Sequence, residues 1–301
     1  MRRERSVRGK VVALSGASRG IGYATAEALV AAGARVAIGA RDYEGTRDAA
    51  KRLGGTTIGL PLDVTDRQSY SQFLDQVEAT LGPLDVLVNN AGAMSLGSFV
   101  DEPDDVAIAQ IDTNVHGTIN GMKAALPRMQ ERGAGHIVNM SSALGKTGAP
   151  GVATYSGSKH AVIGISEAVR REVRKSGIDV SVVLPTLVRT ELTSGVADLR
   201  LLPWHDADDV ASAIVSVIRR PRDEVYVPGW VEFVARAWQL TPRRARDRFM
   251  QLLRAYKVLE TTKMGERVGY EAKLTENPAA DPLERELAAA AGPGEEEERP
   301  S

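Results

Sequence analysis

Seven short apolar runs punctuate residues 10–230, and most of them are continuous rather than alternating. They are Lys10–Ser15 (KVVALS), Arg35–Gly39 (RVAIG), Thr57–Leu62 (TIGLPL), Leu84–Asn89 (LDVLVN), His136–Ser141 (HIVNMS), Asp179–Leu184 (DVSVVL) and Glu224–Val227 (EVYV). A strand with water on one face alternates apolar and polar residues. One that is apolar throughout is covered on both faces, which is the condition of parallel sheets. Helical stretches lie between the runs, at Ile21–Ala32, Gln68–Leu81, Val106–Met129, Tyr155–Lys175 and Asp208–Arg219. Parallel strands separated by helices require right-handed crossovers. The pattern therefore predicts an α/β fold, a doubly wound domain with a seven-stranded parallel sheet flanked by helices.

The chain divides by texture. Residues 1–9 form a basic arm, 10–228 the α/β domain, 229–270 an amphipathic helical extension and 271–301 an acidic tail expected to be disordered. The 301 residues hold no cysteine, which excludes disulfides, thiolate metal sites and cysteine nucleophiles. Lys and Arg number 38 against 39 Asp and Glu, so no overall positive field points to nucleic acid. The basic N-terminus lacks the apolar stretch of a secretory signal, and a cytoplasmic enzyme is the expectation. His116, His136, His160 and His205 lack paired ligand spacing, so no metal site is expected.

The first strand runs into Ser15-Gly16-Ala17-Ser18-Arg19-Gly20-Ile21-Gly22, and a helix follows. Such a turn gives a sharp exit from the strand, close backbone approach and tight helix–strand packing. The helix N-terminus then offers N–H groups to phosphate. In this context the loop reads as a nicotinamide-dinucleotide site on a Rossmann-type domain. NAD sites commonly carry an acid at the end of the second strand. Here Ala40 stands there, followed by Arg41, with Arg19 inside the loop. Two guanidinium groups suit a 2′-phosphate, so NADP(H) is expected over NAD(H), although Asp42 comes next.

Tyr155 and Lys159 are four apart on a helix and share one face. A nearby ammonium favours phenolate and brings a tyrosine toward neutral-pH acid–base work. Ser142 lies just past the fifth apolar run, at the strand end where open α/β sheets place ligands.

Together these pieces resemble the short-chain dehydrogenase/reductase family over residues 10 to about 230. The matching positions are Gly16–Gly22, Asp63-Val64, Asn89-Asn90-Ala91-Gly92, Asn114, Ser142, Tyr155 and Lys159. The resemblance implies an oxidoreductase that moves a hydride between nicotinamide and a ketone or secondary alcohol. In it Tyr155 handles the proton, Ser142 steadies the substrate oxygen and Lys159 binds the ribose. Asn114 relays protons through a water on its backbone. The cofactor would also meet Asp63 and Val64 at the adenine, and Asn90, Ala91 and Gly92 at the adenosine ribose. Pro185, Val188 and Thr190 would meet the nicotinamide end. Asn89 is expected to lock the central strands or to serve the site. Thr186 stands where the family usually has glycine, which unsettles the substrate side.

Residues 191–207 fall where the family has its substrate loop. Val196, Leu199, Leu201, Leu202 and Trp204 there favour a lipophilic substrate. In 229–257, seven basic residues accompany two acidic ones, and Trp230, Phe233, Val234, Ala237 and Trp238 share one helical face. A helical hairpin docking on protein is expected, with peripheral contact to an anionic membrane as the other reading. The resemblance implies a homodimer or homotetramer built on the helices of Asn114 and Tyr155. The rival functional class is a dinucleotide-binding scaffold or sensor without turnover.

Overall fold

The computed structural model describes residues 4–196, 203–242, 244–246 and 248. Seven strands form one parallel sheet in the order β3-β2-β1-β4-β5-β6-β7. They are β1 Val11–Ser15, β2 Arg35–Ala40, β3 Thr57–Pro61, β4 Val86–Asn89, β5 Gly135–Met140, β6 Ile178–Pro185 and β7 Glu224–Val227. The helices are α1 Gly20–Ala31, α2 Tyr43–Leu53, α3 Arg67–Leu81, α4 Asp104–Ile111, α5 Gly117–Arg132, α6 Ala153–Glu172, α7 Ala207–Arg219 and α8 Val231–Leu240. Neighbours β1 and β4 are far apart in sequence, and the winding reverses between them. Ligand crevices of open α/β sheets open at such a reversal.

Successive strand residues point to opposite faces, so each apolar run feeds two cores. Val12, Leu14, Val36, Ile38 and Val88 pack with Leu29 of α1 and Ile214 of α7. Val11, Ala13, Ala37, Leu87 and Ile137 pack with Phe73 of α3 and with Met122 and Met129 of α5. This double covering is why the runs do not alternate.

Three elements differ from the sequence expectation. The helix expected over 106–129 runs without a break from Asp104 to Arg132, but carries a π-helical turn at Asp112–His116 that divides α4 from α5. Helix α2 was not anticipated. It buries only Thr46, Ala49 and Ala50, small residues that leave a faint periodic signal. Helix α8 docks by a face other than the expected one. Val231 and Ala235 pack with Leu184 and Tyr226, whereas Trp230, Phe233 and Val234 are exposed, Phe233 to 84%. The stripe at Phe249, Leu252, Leu253 and Tyr256 and the tail at 271–301 lie outside the described residues.

The basic arm is docked over its described part. Val7 is buried in the core, and the Arg5 guanidinium meets Asp179 at 2.7 Å. His136, at the start of β5, is buried with Nε2 2.9 Å from Ser181 Oγ. Burial pushes it down to about 4, so it is neutral, as a structural histidine should be. Among the described residues no helix is long and apolar enough to cross a membrane.

Candidate active site

The crevice forms at the C-terminal ends of β1, β4, β5 and β6, where the glycine loop, the 90–96 segment and the start of α6 converge. Gly16 leaves β1 at φ +64°, and a Cβ there would lie 2.7 Å from Ala91 Cα. On Gly22 a Cβ would lie 2.4 Å from the Gly16 carbonyl oxygen. Both positions need glycine, one for its backbone angle and one for contact distance. Asn90 braces the loop from behind, its Nδ2 donating to the carbonyls of Ser15 (3.1 Å) and Gly16 (2.9 Å). Its side-chain amide nitrogen therefore supports the loop.

A Cβ on Gly20 would meet nothing closer than the Thr190 methyl at 3.6 Å, and no side chain caps the N-terminus of α1. Ser18 and Ile21 flank Arg19 and Gly20, and Arg19 forms an ion pair with Glu191 at 2.8 Å. The glycine loop and the uncapped helix end fit a pyrophosphate.

Past the end of β3, Asp63 Oδ1 accepts from the Thr65 N–H (2.9 Å) and hydroxyl (2.7 Å). Val64 is buried, and its carbonyl accepts from Asn120 Nδ2 at 3.0 Å. Arg41 is exposed at the end of β2. Asp42 is committed to capping α2, its carboxylate accepting from the Gly45 N–H at 2.9 Å.

The reacting end lies against β5 and α6. Ser142 is buried and caps a short 3-10 turn, its Oγ accepting from Leu144 N at 3.1 Å. Tyr155 and Lys159 sit on the buried face of α6, and the Lys159 ammonium lies 5.7 Å from the Tyr155 ring centroid. One ammonium proton goes to the Met140 carbonyl at 3.1 Å. Burial alone pulls Lys159 down to about 8. Gly92 faces it, since a Cβ there would come 3.4 Å from Nζ and 3.3 Å from Asn114 Oδ1.

Asn114 is fully buried in the π-helical turn. Its side chain holds both the carbonyl (2.8 Å) and the N–H (2.8 Å) of Ala93, and donates to Ser158 Oγ at 2.9 Å. Ser158 in turn donates to the Tyr155 carbonyl at 2.7 Å. The Asn114 carbonyl accepts from Thr118 Oγ1 at 2.8 Å. Ser158 escaped the sequence reading, though a small polar residue on the Tyr155 face of a buried helix was its signal.

Asn89 is a strand lock. It accepts from the Tyr70 hydroxyl at 2.5 Å and donates to Asn139 Oδ1 at 2.8 Å, and Asn139 donates to Ser166 of α6. Beyond β6, Pro185 ends the strand, Val188 bridges to His205, and Thr190 faces Gly20. Thr186 uses the side chain that glycine lacks, with both its N–H (3.0 Å) and its hydroxyl (3.2 Å) donating to the Val227 carbonyl.

Residues 10–199 match the family described as short chain dehydrogenase. The chain belongs to the short-chain dehydrogenase/reductase family. It is an oxidoreductase acting on CH–OH or C=O groups with a nicotinamide dinucleotide. The 3-oxoacyl-[acyl-carrier-protein] reductase of Bos taurus is 37% identical over 238 residues, 77% of this chain and 99% of that one. The enzyme of that name, FabG, from Salmonella typhimurium is 37% identical over 193 residues, 64% of this chain and 79% of that one. A short-chain dehydrogenase/reductase from Burkholderia phymatum, solved in complex with NAD, superposes with TM-score 0.70 at 23% identity. That likeness covers 77% of this chain and 93% of that one, and it speaks for the fold.

Proposed function

We propose that this short-chain dehydrogenase/reductase interconverts a lipophilic ketone and its secondary alcohol by Ser142, Tyr155 and Lys159, with NADP(H) preferred. The bound nicotinamide supplies or takes up the hydride. Tyr155 donates its hydroxyl proton to the carbonyl oxygen during reduction and takes it back during oxidation. Ser142 Oγ donates a hydrogen bond to that same oxygen and fixes its position. Lys159 keeps a positive charge beside the phenol, which favours the phenolate left after transfer. Its ammonium protons not taken by the Met140 carbonyl would hold the nicotinamide ribose hydroxyls. Asn114 holds the segment at Ala93 and the start of α6 in register, and its carbonyl has a second lone pair for a relay water. The observation that carries this reading is the buried Lys159 ammonium 5.7 Å from the Tyr155 ring, on the same face of α6.

The apolar cluster around Tyr155, read as the lining of the substrate slot, supports a lipophilic substrate. Met94, Leu96 and Val152 are buried with Tyr155, and Leu144, Ala149, Leu192 and Val196 pack against them. Leu199, Leu201 and Leu202 lie outside the described residues. The NADP(H) preference is supported by the commitment of Asp42 to its helix cap, which leaves the end of β2 to Ala40 and Arg41. A panel of ketones and alcohols followed by nicotinamide absorbance tests both parts. NADPH-dependent turnover of apolar ketones is expected, and its absence with either cofactor overturns the reading. In the same assay Arg41→Ala should raise the Kd for NADPH about tenfold or more, as a lost charge-assisted contact to phosphate does, while NADH changes little. Equal losses for the two cofactors would remove the phosphate clamp.

A homo-oligomer is part of this proposal. Phe99, Val100 and Ile108 are exposed around α4, and Trp230, Phe233 and Val234 on and before α8. Exposed apolar groups in such sets mark association surfaces. Sedimentation equilibrium should give a mass of at least two chains. A monomer that instead pellets with anionic vesicles would return α8 to the membrane reading.

A further inference from the structure

Behind the apolar slot lies a polar relay that the catalytic proposal does not use. Gln110, in the last turn of α4, is 0% exposed. Its amide oxygen accepts from the Ser95 N–H at 2.9 Å, and its amide nitrogen donates to Glu102 Oε1 at 2.6 Å. The other Glu102 oxygen accepts from the Thr154 hydroxyl. Ser95 lies between Met94 and Leu96, and Thr154 lies between Val152 and Tyr155. The relay therefore joins the two segments, 94–96 and 152–155, that supply the apolar cluster around Tyr155.

Burying an amide is costly unless both its ends are paired, so a Gln at this depth has a task. Its two ends differ chemically. The oxygen needs a donor and finds a backbone N–H. The nitrogen needs an acceptor and finds a carboxylate. Only one orientation satisfies both, so the side chain acts as a spacer of fixed length and sense. The Glu102 carboxylate completes the span at the first turn of α6, where no acidic residue of the helix itself stands and the dipole favours negative charge. A second tie runs beside it, with the Gly97 N–H donating to the Gly151 carbonyl at 3.0 Å.

We propose that Glu102 and Gln110 are positioning residues that set the separation between the 94–96 wall and Tyr155, and so decide how long an apolar chain the substrate ketone carries. This rests on the ketone-reductase reading above. Neither residue touches the reacting atoms, and their effect passes through Ser95 and Thr154. Loosening one wall leaves proton transfer intact for a substrate that happens to sit well, but weakens the grip on its chain.

The test uses full-length protein, NADPH and a series of 2-alkanones from butanone to 2-decanone. Glu102→Ala and Gln110→Leu are expected to raise KM for the preferred chain length about tenfold and to shift the preferred length, with kcat within about threefold, because a loosened wall removes binding shared by ground state and transition state, which raises KM and leaves kcat. Glu102→Gln keeps the shape of the span: its amide oxygen can still accept from Gln110, while its NH2 must donate to the Thr154 hydroxyl in place of accepting from it, so KM should return to within about threefold of wild type. NADPH Kd, read by nucleotide fluorescence, should stay within about twofold in every variant, since the relay lies away from the glycine loop. Glu102 is only half-buried, so Glu102→Ala keeps the test alive if Gln110→Leu fails to fold. Active variants with unchanged KM and chain preference overturn the inference, as does a loss confined to kcat or one shared equally by NADPH binding. A wild type inert on every ketone overturns the reductase reading and this inference with it.

Discussion

Tyr155→Phe should cost about a thousandfold in kcat, the middle of the range for a positioned acid–base group. The substitution removes one oxygen and keeps the ring. That ring packs with Met94, Leu96 and Val152, so the apolar slot keeps its shape. The hold on the dinucleotide lies elsewhere, in the glycine loop and at Lys159, which is anchored independently by the Met140 carbonyl. NADPH binding and melting temperature should therefore match the parent. Turnover within a factor of about three of wild type would remove Tyr155 from proton transfer. A loss of turnover that tracks a loss of NADPH affinity would make it a cofactor-holding residue instead.

The sheet was legible because each strand is apolar on both faces, and only a sheet covered on both sides explains that. The glycine loop was legible because two of its glycines are demanded by backbone angle and contact distance, at Gly16 and Gly22. Tyr155 and Lys159 could be paired because a four-residue spacing has one geometric consequence on a helix. What escaped has a physical reason in each case. Helix α2 buries small residues and carries its charges outward, so its apolar stripe is faint. The π-helical turn at Asp112–His116 adds a residue to one turn without any breaker, and no Gly or Pro lies within it. The docking face of α8 depended on Leu184 and Tyr226, which come near only after β6 and β7 pair. The Gln110 relay joins Ser95, Glu102 and Thr154 across three segments, a contact no local spacing encodes.

Lys159→Met separates the catalytic demand on this residue from its cost to the fold. Burial lowers the lysine from 10.5 to about 8, a desolvation penalty of roughly 3 kcal/mol when the ammonium is charged in the folded chain. The hydrogen bond to Met140 offsets about 1 kcal/mol of that in the comparison. Without dinucleotide at pH 7, the methionine variant should therefore melt several degrees higher than wild type. The folded pKa lies below the unfolded one, so the unfolded chain binds more protons between about pH 8 and 10.5, and wild-type stability rises with pH across that window. The variant's advantage should shrink there. Saturating NADPH should reverse the order, because ligand stabilisation follows affinity for the native state and the variant has lost the ammonium at the ribose. Turnover should fall at least about a hundredfold, since the phenolate left after proton transfer loses the neighbouring positive charge that stabilises it. A variant that melts below wild type at pH 7 in the absence of nucleotide would mean that the ammonium is compensated within the protein alone. The strain of burying Lys159 would then not be what cofactor binding relieves.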